Sequence, residues 1–258
     1  MRTRVVCLYV LIIAVTSQAS AGPITVRPAD LAFGSTYYLA FVTQGTRDAT
    51  SHDLAFYDAF VTCEARGGPQ CAGHQPPNAA LAALDTTWRV IGSTALEDAR
   101  THVPMDGPIY NLAGNLVMPA APAGLSALFD VFLPVNPLSL IHSIAIDQFG
   151  ESQSGSHVWT GTTSTGSASA YPLGGVLCSV VDDPYGLCVS IGQIGCIDKC
   201  WLGYSSFSGA PALDGSATEN HLYAISGPIV VTPEPGTVLL MVAPLAWRLS
   251  RRSPPARP

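Results

Sequence analysis

The chain reads as a single α+β domain set between two targeting segments, and three observations point there. Residues 36–43 form an unbroken aromatic and branched run between Gly34 and Gly45, the pattern of a buried strand. A capped amphipathic helix follows directly. Beyond about residue 119 the chain turns rich in Gly, Ser, Thr and Pro and carries only short strand candidates, together with four of its cysteines. A mostly-β sandwich is the alternative built from the same ingredients.

In chain order, Thr50, Ser51, His52 and Asp53 offer N-cap residues and an acidic first turn. Leu54, Tyr57, Val61 and Glu64 then fall on one helical stripe beside Phe56, Phe60 and Cys63, until Gly67 and Gly68 stop it. Asn78 caps a short Ala/Leu helix through Leu84. Trp88 and Val90 flank Arg89 in strand alternation, residues 95–100 make a helical turn, and 109–110 with 116–117 form a hairpin across Gly114 and Asn115. Further strands are expected at 157–159, 176–181, 187–191, 222–225 and 229–231. The stretch 152–169 is close to low complexity and reads as a long surface loop.

Both ends carry addresses. Arg2 and Arg4, an apolar run over 5–15, and the small residues Ala19-Ser20-Ala21 have the layout of a signal peptide (residues 1–21) cleaved to leave Gly22 first. At the other end, Pro233 and Pro235 hold Glu234 in a stiff extended triplet. An apolar stretch with Val238, Leu239, Leu240, Met241, Val242, Leu245 and Trp247 follows, and then Arg248, Arg251 and Arg252. An aromatic boundary and a basic cluster are what the positive-inside rule expects of a segment ending in the cytoplasm. Residues 236–247 number twelve. As a helix they reach roughly 18 Å against a hydrocarbon core of roughly 30 Å, so the segment suits a transient anchor better than a permanent one. The plain reading of such an end is a Pro-rich surface terminus.

Between those segments lies a body of residues 22–231. Six of the 12 basic residues belong to the ends, while all 18 acidic residues lie between Gly22 and Pro235, which leaves a net charge of −12 there. Nucleic acid and anionic membrane surfaces are disfavoured as partners for such a body. Its six cysteines, Cys63, Cys71, Cys178, Cys188, Cys196 and Cys200, are an even count in an exported chain and point to disulfides. Their clustering favours Cys63 with Cys71 and two bridges among the other four. A metal site near Cys71 and His74 is the competing reading, but no C-x-x-C pair is present.

The triplet, apolar run and arginines together resemble the PEP-CTERM sorting signal of Gram-negative bacteria that make exopolysaccharide. That resemblance implies an exosortase-type membrane protease as partner, acting at Pro233, Glu234 and Pro235, and a route through the inner membrane to the cell surface or extracellular matrix. The body, in the runs 38–50, 81–88, 91–100, 158–162 and 222–226, resembles the extracellular domain found on many PEP-CTERM proteins. More distantly it is similar to bacterial surface domains of C-type-lectin-like or endostatin-like fold, which implies a helix after the first strand and a loop-rich, disulfide-bonded second half. Residues 119–146 fall outside the resemblance and read as an insertion. The Glu-Pro-Asn, Gln-Pro-Asp and Trp-Asn-Asp triplets of calcium-dependent sugar binding are absent, so no cofactor is implied.

No compact catalytic motif is present: Gly-x-Ser-x-Gly, His-Glu-x-x-His, a Walker loop and Gly-x-Gly-x-x-Gly are all missing. The six histidines are scattered and read as surface or capping residues. Glu97-Asp98 and Asp182-Asp183 are the kind of adjacent acids a glycosidase or calcium site would use, but adjacent acids are also ordinary in solvated turns and 182–186 reads as a turn. The expectation is a non-catalytic protein of the surface or exopolysaccharide that contacts polysaccharide or surface proteins. A secreted hydrolase acting on polysaccharide is the alternative.

Overall fold

The computed structural model describes residues 23–71, 73–74, 78–103, 105–130, 139–177, 187–203, 213–214 and 219–232. The expected signal peptide with Ala19, Ala21 and Gly22, the residue Cys178, and everything from Pro233 onward lie outside them.

Strand β1 (Thr36–Val42) runs through the middle of a mixed sheet. Its alternation explains why the run is apolar without a break. Tyr37, Leu39 and Phe41 enter the core on one face, while Tyr38, Ala40 and Val42 enter the core on the other. Helix α1 (Leu54–Arg66) follows, then α2 (Ala79–Ala82), β2 (Trp88–Val90), α3 (Ala99–His102), β3 (Ile109–Asn111), β4 (Leu116–Met118) and β5 (His157–Trp159). The remaining strands are β6 (Val176–Leu177), β7 (Leu187–Val189), β8 (Ile191–Gln193), β9 (Leu213–Asp214), β10 (His221–Ser226) and β11 (Ile229–Val230), with a 3-10 turn over Lys199–Trp201. The main sheet has the order β4-β3-β1-β10-β5-β8, with β11 also pairing β1 and β2 also pairing β10. β6, β7 and β9 form a separate small sheet.

At the centre, β1 pairs antiparallel with β10, Ala40 opposite Ile225 and Val42 opposite Tyr223. Strands from the two ends of the body thus meet in the middle of the sheet. β3 runs parallel to β1 and β5 parallel to β10.

One face is covered by α1. Leu54, Tyr57, Phe60, Val61 and Ala65 pack on Leu39, Phe41, Trp88, Val90 and Leu222, and the Phe41 and Trp88 rings meet edge to face at 5.2 Å. The helix begins where Asp53 accepts from the N–H of Ala55, so Asp53 caps the helix and no acid sits in its first turn. It ends at Gly67, whose φ of 63° lets its N–H return to the Cys63 carbonyl.

The opposite face corrects one expectation. Within 119–146, Ala127, Leu128, Phe129, Leu140, Ile144 and Ala145 are buried with Tyr38, Val42, Val158 and Ile225. The stretch 152–169 is not a surface loop throughout. Trp159, Thr160 and Thr162 are buried because the threonine hydroxyls satisfy carbonyls that a sheet ladder would otherwise satisfy. Thr160 donates to Leu202 O at 2.5 Å, and Thr162 donates to Thr160 O at 2.8 Å.

Smaller shifts have local causes. The turn expected over 95–100 becomes α3 at Ala99–His102, because the Thr94 hydroxyl accepts from the N–H groups of Leu96 and Glu97 and holds them in a turn. The strand expected over 187–191 divides into β7 and β8 at Ser190. That over 176–181 is described only at β6.

Candidate functional site

The C-terminal half of α1 carries a carboxylate on its buried stripe. Glu64 is 4% exposed, and burying a carboxylate requires that its oxygens be satisfied. Three segments do so. His74 Nδ1 lies 2.5 Å from Oε1, Gly45 N–H donates to Oε2 at 3.0 Å, and Gln148 Nε2 also donates to Oε2. Gly45 is required by close approach, since a Cβ there would sit 2.7 Å from Glu64 Oε1.

Each partner is itself positioned. The disulfide between Cys63 and Cys71, Cα atoms 5.3 Å apart, ties the loop after α1 back onto the helix. His74 N–H then donates to Cys71 O, which sets the ring beside Glu64. Gln148 follows the fully buried Asp147, whose carboxylate accepts from Phe149 N–H, Glu151 N–H and Gln153 Nε2. With that loop fixed, Gln148 Oε1 also accepts from Gln44 N–H at 2.9 Å.

Two cavities of about 570 Å³ each flank this cluster and share Phe60 and His74 as lining. The first is lined by Gln44, Gly45, Glu64 and Gln148, the second by Arg47, Phe56, Asp58 and Gln70. The Arg47 guanidinium lies 3.7 Å from the Phe56 ring centroid, and its buried Nε has no hydrogen-bond partner. Because a carboxylate oxygen can only accept, His74 Nδ1 carries a hydrogen. In the neutral ring that leaves Nε2 as an acceptor. With Glu64 committed to three donors, the arrangement orients an imidazole and a set of amides, and suits ligand holding.

A second polar cluster involves Asp58 of α1. His102, 8% exposed, lies between two acids, with Nε2 3.0 Å from Asp58 Oδ1 and Nδ1 3.1 Å from Glu97 Oε1. Asp58 Oδ1 also accepts from Val90 N–H, and Arg89 donates to the His102 carbonyl. Burial pulls the His102 pKa down, but the hydrogen bonds and charges of Asp58 and Glu97 outweigh it, so the pKa is raised. His102 is therefore a buried residue paired on both sides, against the surface reading of the histidines. Of the expected acid pair, Glu97 serves His102, while Asp98 accepts from Ala168 N–H at 2.6 Å. The two acids have separate structural partners. Asp182 and Asp183 lie outside the described residues.

Among the cysteines, Cys63 pairs with Cys71 and Cys196 with Cys200, the latter with Cα atoms 5.9 Å apart, and Cys188 is disulfide-bonded as well. Cys71 is thus committed to sulfur and His74 to Glu64. Cys178 lies outside the described residues, as do the cleavage residues Ala19, Ala21 and Gly22. So do the sorting residues Pro233, Glu234 and Pro235 and the anchor residues Val238, Leu239, Leu240, Met241, Val242, Leu245, Trp247, Arg248, Arg251 and Arg252. Among the described residues no helix is long and apolar enough to cross a membrane.

Sequence reasoning did not single out the cleft. One signal for it was visible: Glu64 is a charge on an otherwise apolar helical stripe, next to Cys63, with His74 three residues past Cys71. No protein-family model matches the chain, and no curated protein matches it in sequence.

Proposed function

We propose that the chain is an exported protein, sorted and cut by an exosortase-type membrane protease, and then held at the cell surface or in exopolysaccharide, where it binds a ligand without turning it over. The observation that carries this reading is the set of disulfides in a body bracketed by a signal-peptide layout and a PEP-CTERM-like tail. Cys63–Cys71 and Cys196–Cys200 are closed, and structural disulfides belong to oxidising compartments. The C-type-lectin-like or endostatin-like reading of the body draws support from its strand-then-helix opening, its terminal strands paired at the centre, and its loop-rich second half. The hydrogen bonding of Glu64 favours binding over hydrolysis, since a carboxylate already accepting from three donors is poorly placed to act as nucleophile or acid.

Intact-mass measurement of the native protein tests the reading. The expected product begins at Gly22 and lacks everything beyond the Pro233-Glu234-Pro235 triplet, and deleting that triplet traps the protein in the membrane fraction. Full-length chain stably bound to membranes in a host that has the protease would overturn it. Turnover of polysaccharide lost on changing a single carboxylate would overturn the non-catalytic half.

A further inference from the structure

The two cavities beside α1 hold a mixed and largely uncommitted set of polar atoms. Among the described residues, Glu64 is saturated, but the side-chain amides of Gln44 and Gln70, the Asp58 Oδ2 atom and the Arg47 guanidinium make no hydrogen bond to a protein group. Arg47 and Asp58 line the same cavity and offset one another in charge, and Glu64 in the adjoining cavity has both oxygens taken by three donors, so its charge is already answered by the protein. The net charge of −12 between Gly22 and Pro235 further disfavours a polyanion.

What matches closely spaced donors and acceptors of balanced charge is a ligand whose own groups both donate and accept, and hydroxyls do so. Phe56 and Phe60 also line the second cavity, with the Arg47 guanidinium over the Phe56 ring. Each cavity lies within the range of about 300–1,000 Å³ typical of small-molecule sites, and the shared lining by Phe60 and His74 makes them adjoining subsites. We propose that this cleft holds an uncharged, hydroxyl-rich saccharide, with adjoining sugar units on either side of His74. The assignment rests on the surface-binding reading above and names the ligand class of that protein.

The cleft also depends on a staple. Cys63 precedes Glu64 in α1 and Cys71 hydrogen-bonds to His74 N–H, so the bridge holds the histidine between the subsites.

The test uses the native exported protein with dextran, the neutral fraction of its host's exopolysaccharide, alginate as a carboxylated polymer and chitosan as an amine polymer. Binding is read by calorimetry and affinity electrophoresis. The expected result is binding to a neutral polymer, weakened about tenfold by Gln44→Ala and by Gln70→Ala, the loss of one or two hydrogen bonds each. Gln70 is exposed, so its variant folds as the parent does, and circular dichroism checks both. Reduction of the disulfides should weaken binding as well. Neutral-polymer binding that both variants retain would overturn the cleft assignment and leave the surface-binding reading standing. Binding to alginate or chitosan alone would overturn the ligand class, and binding to none of the four would overturn this inference together with the polysaccharide reading it rests on.

Discussion

The two faces of the central sheet bury similar kinds of side chain under different kinds of cover. On the first face a regular helix supplies Leu54, Tyr57, Phe60 and Val61, and its backbone groups are satisfied internally. On the second, the cover is irregular chain around Ala127, Phe129, Leu140, Ile144, Trp201 and Leu202. There the polar backbone is satisfied by side chains: Asn111 accepts from Ala113 and Asn115, Asp147 from Phe149 and Glu151, and Thr160 donates to Leu202. The difference teaches that a loop-rich layer is a core like any other, provided Thr, Asn and Asp replace the ladder. The candidate cleft belongs to the helical face, yet Gln148 reaches it from the loop that Asp147 organises.

The comparison breaks most directly by truncating one large ring on each face. Phe41 is fully buried and Phe129 is 1% exposed, so Phe41→Ala and Phe129→Ala should each cost about 3–5 kcal/mol in denaturant unfolding. If the loop layer were peripheral, Phe129→Ala would cost less than about 1 kcal/mol, and the equivalence of the two faces would fail.

The staples offer the next largest effect. Cys63–Cys71 closes a separation of 8 residues and Cys196–Cys200 one of 4. Chain entropy then predicts losses of about 2–3 kcal/mol for Cys63→Ser with Cys71→Ser, and about 2 kcal/mol for the second pair. Only the first should also weaken ligand binding, since only it adjoins Glu64 and His74. Equal effects on binding would remove the claim that this bridge shapes the cleft.

The smallest effect is read as a slope. Both ring nitrogens of His102 face carboxylate oxygens, and its pKa is raised, so the imidazolium is the form that completes the network. The facing groups are Asp58 from α1, Glu97 from the turn before α3, and Arg89 of β2 at the His102 carbonyl. A raised folded-state pKa contributes stability that is complete below the unfolded value, about 6.5, and is lost as pH rises through the folded value. Thermal melts should show that loss as the pH rises from about 6.5 in the parent, and His102→Gln should flatten it. An unchanged slope would mean the pairing contributes nothing to stability.

How much was legible varies with the range of the interaction. The β1 run, the α1 stripe with its Asp53 and Gly67 ends, the Asn78 cap of α2 and the β3–β4 hairpin are local patterns. Each was readable because propensity and periodicity act over a few residues. The burial of Thr160 and Thr162 was not readable, since a Ser/Thr/Gly-rich stretch has the same composition whether its hydroxyls face water or distant carbonyls. His102 was missed for a related reason: its partners lie 44 and 5 residues away, and nothing in the spacing of the histidines announces them.

By itself, then, the sequence determined the α+β class, the apolar double-sided β1, the capped helix beside it, and a cysteine complement suited to disulfides. All of these follow from side-chain period, capping chemistry and composition. Only the tertiary structure decided that β1 and β10, 187 residues apart at the contact of Leu39 with Ser226, pair at the centre of the sheet. It alone put Ala127, Phe129, Leu140 and Ile144 in the core and gathered Gly45, His74 and Gln148 around the Glu64 carboxylate. Pairings of that range depend on which surfaces remain to be buried once the local elements exist, and no window of sequence contains that information.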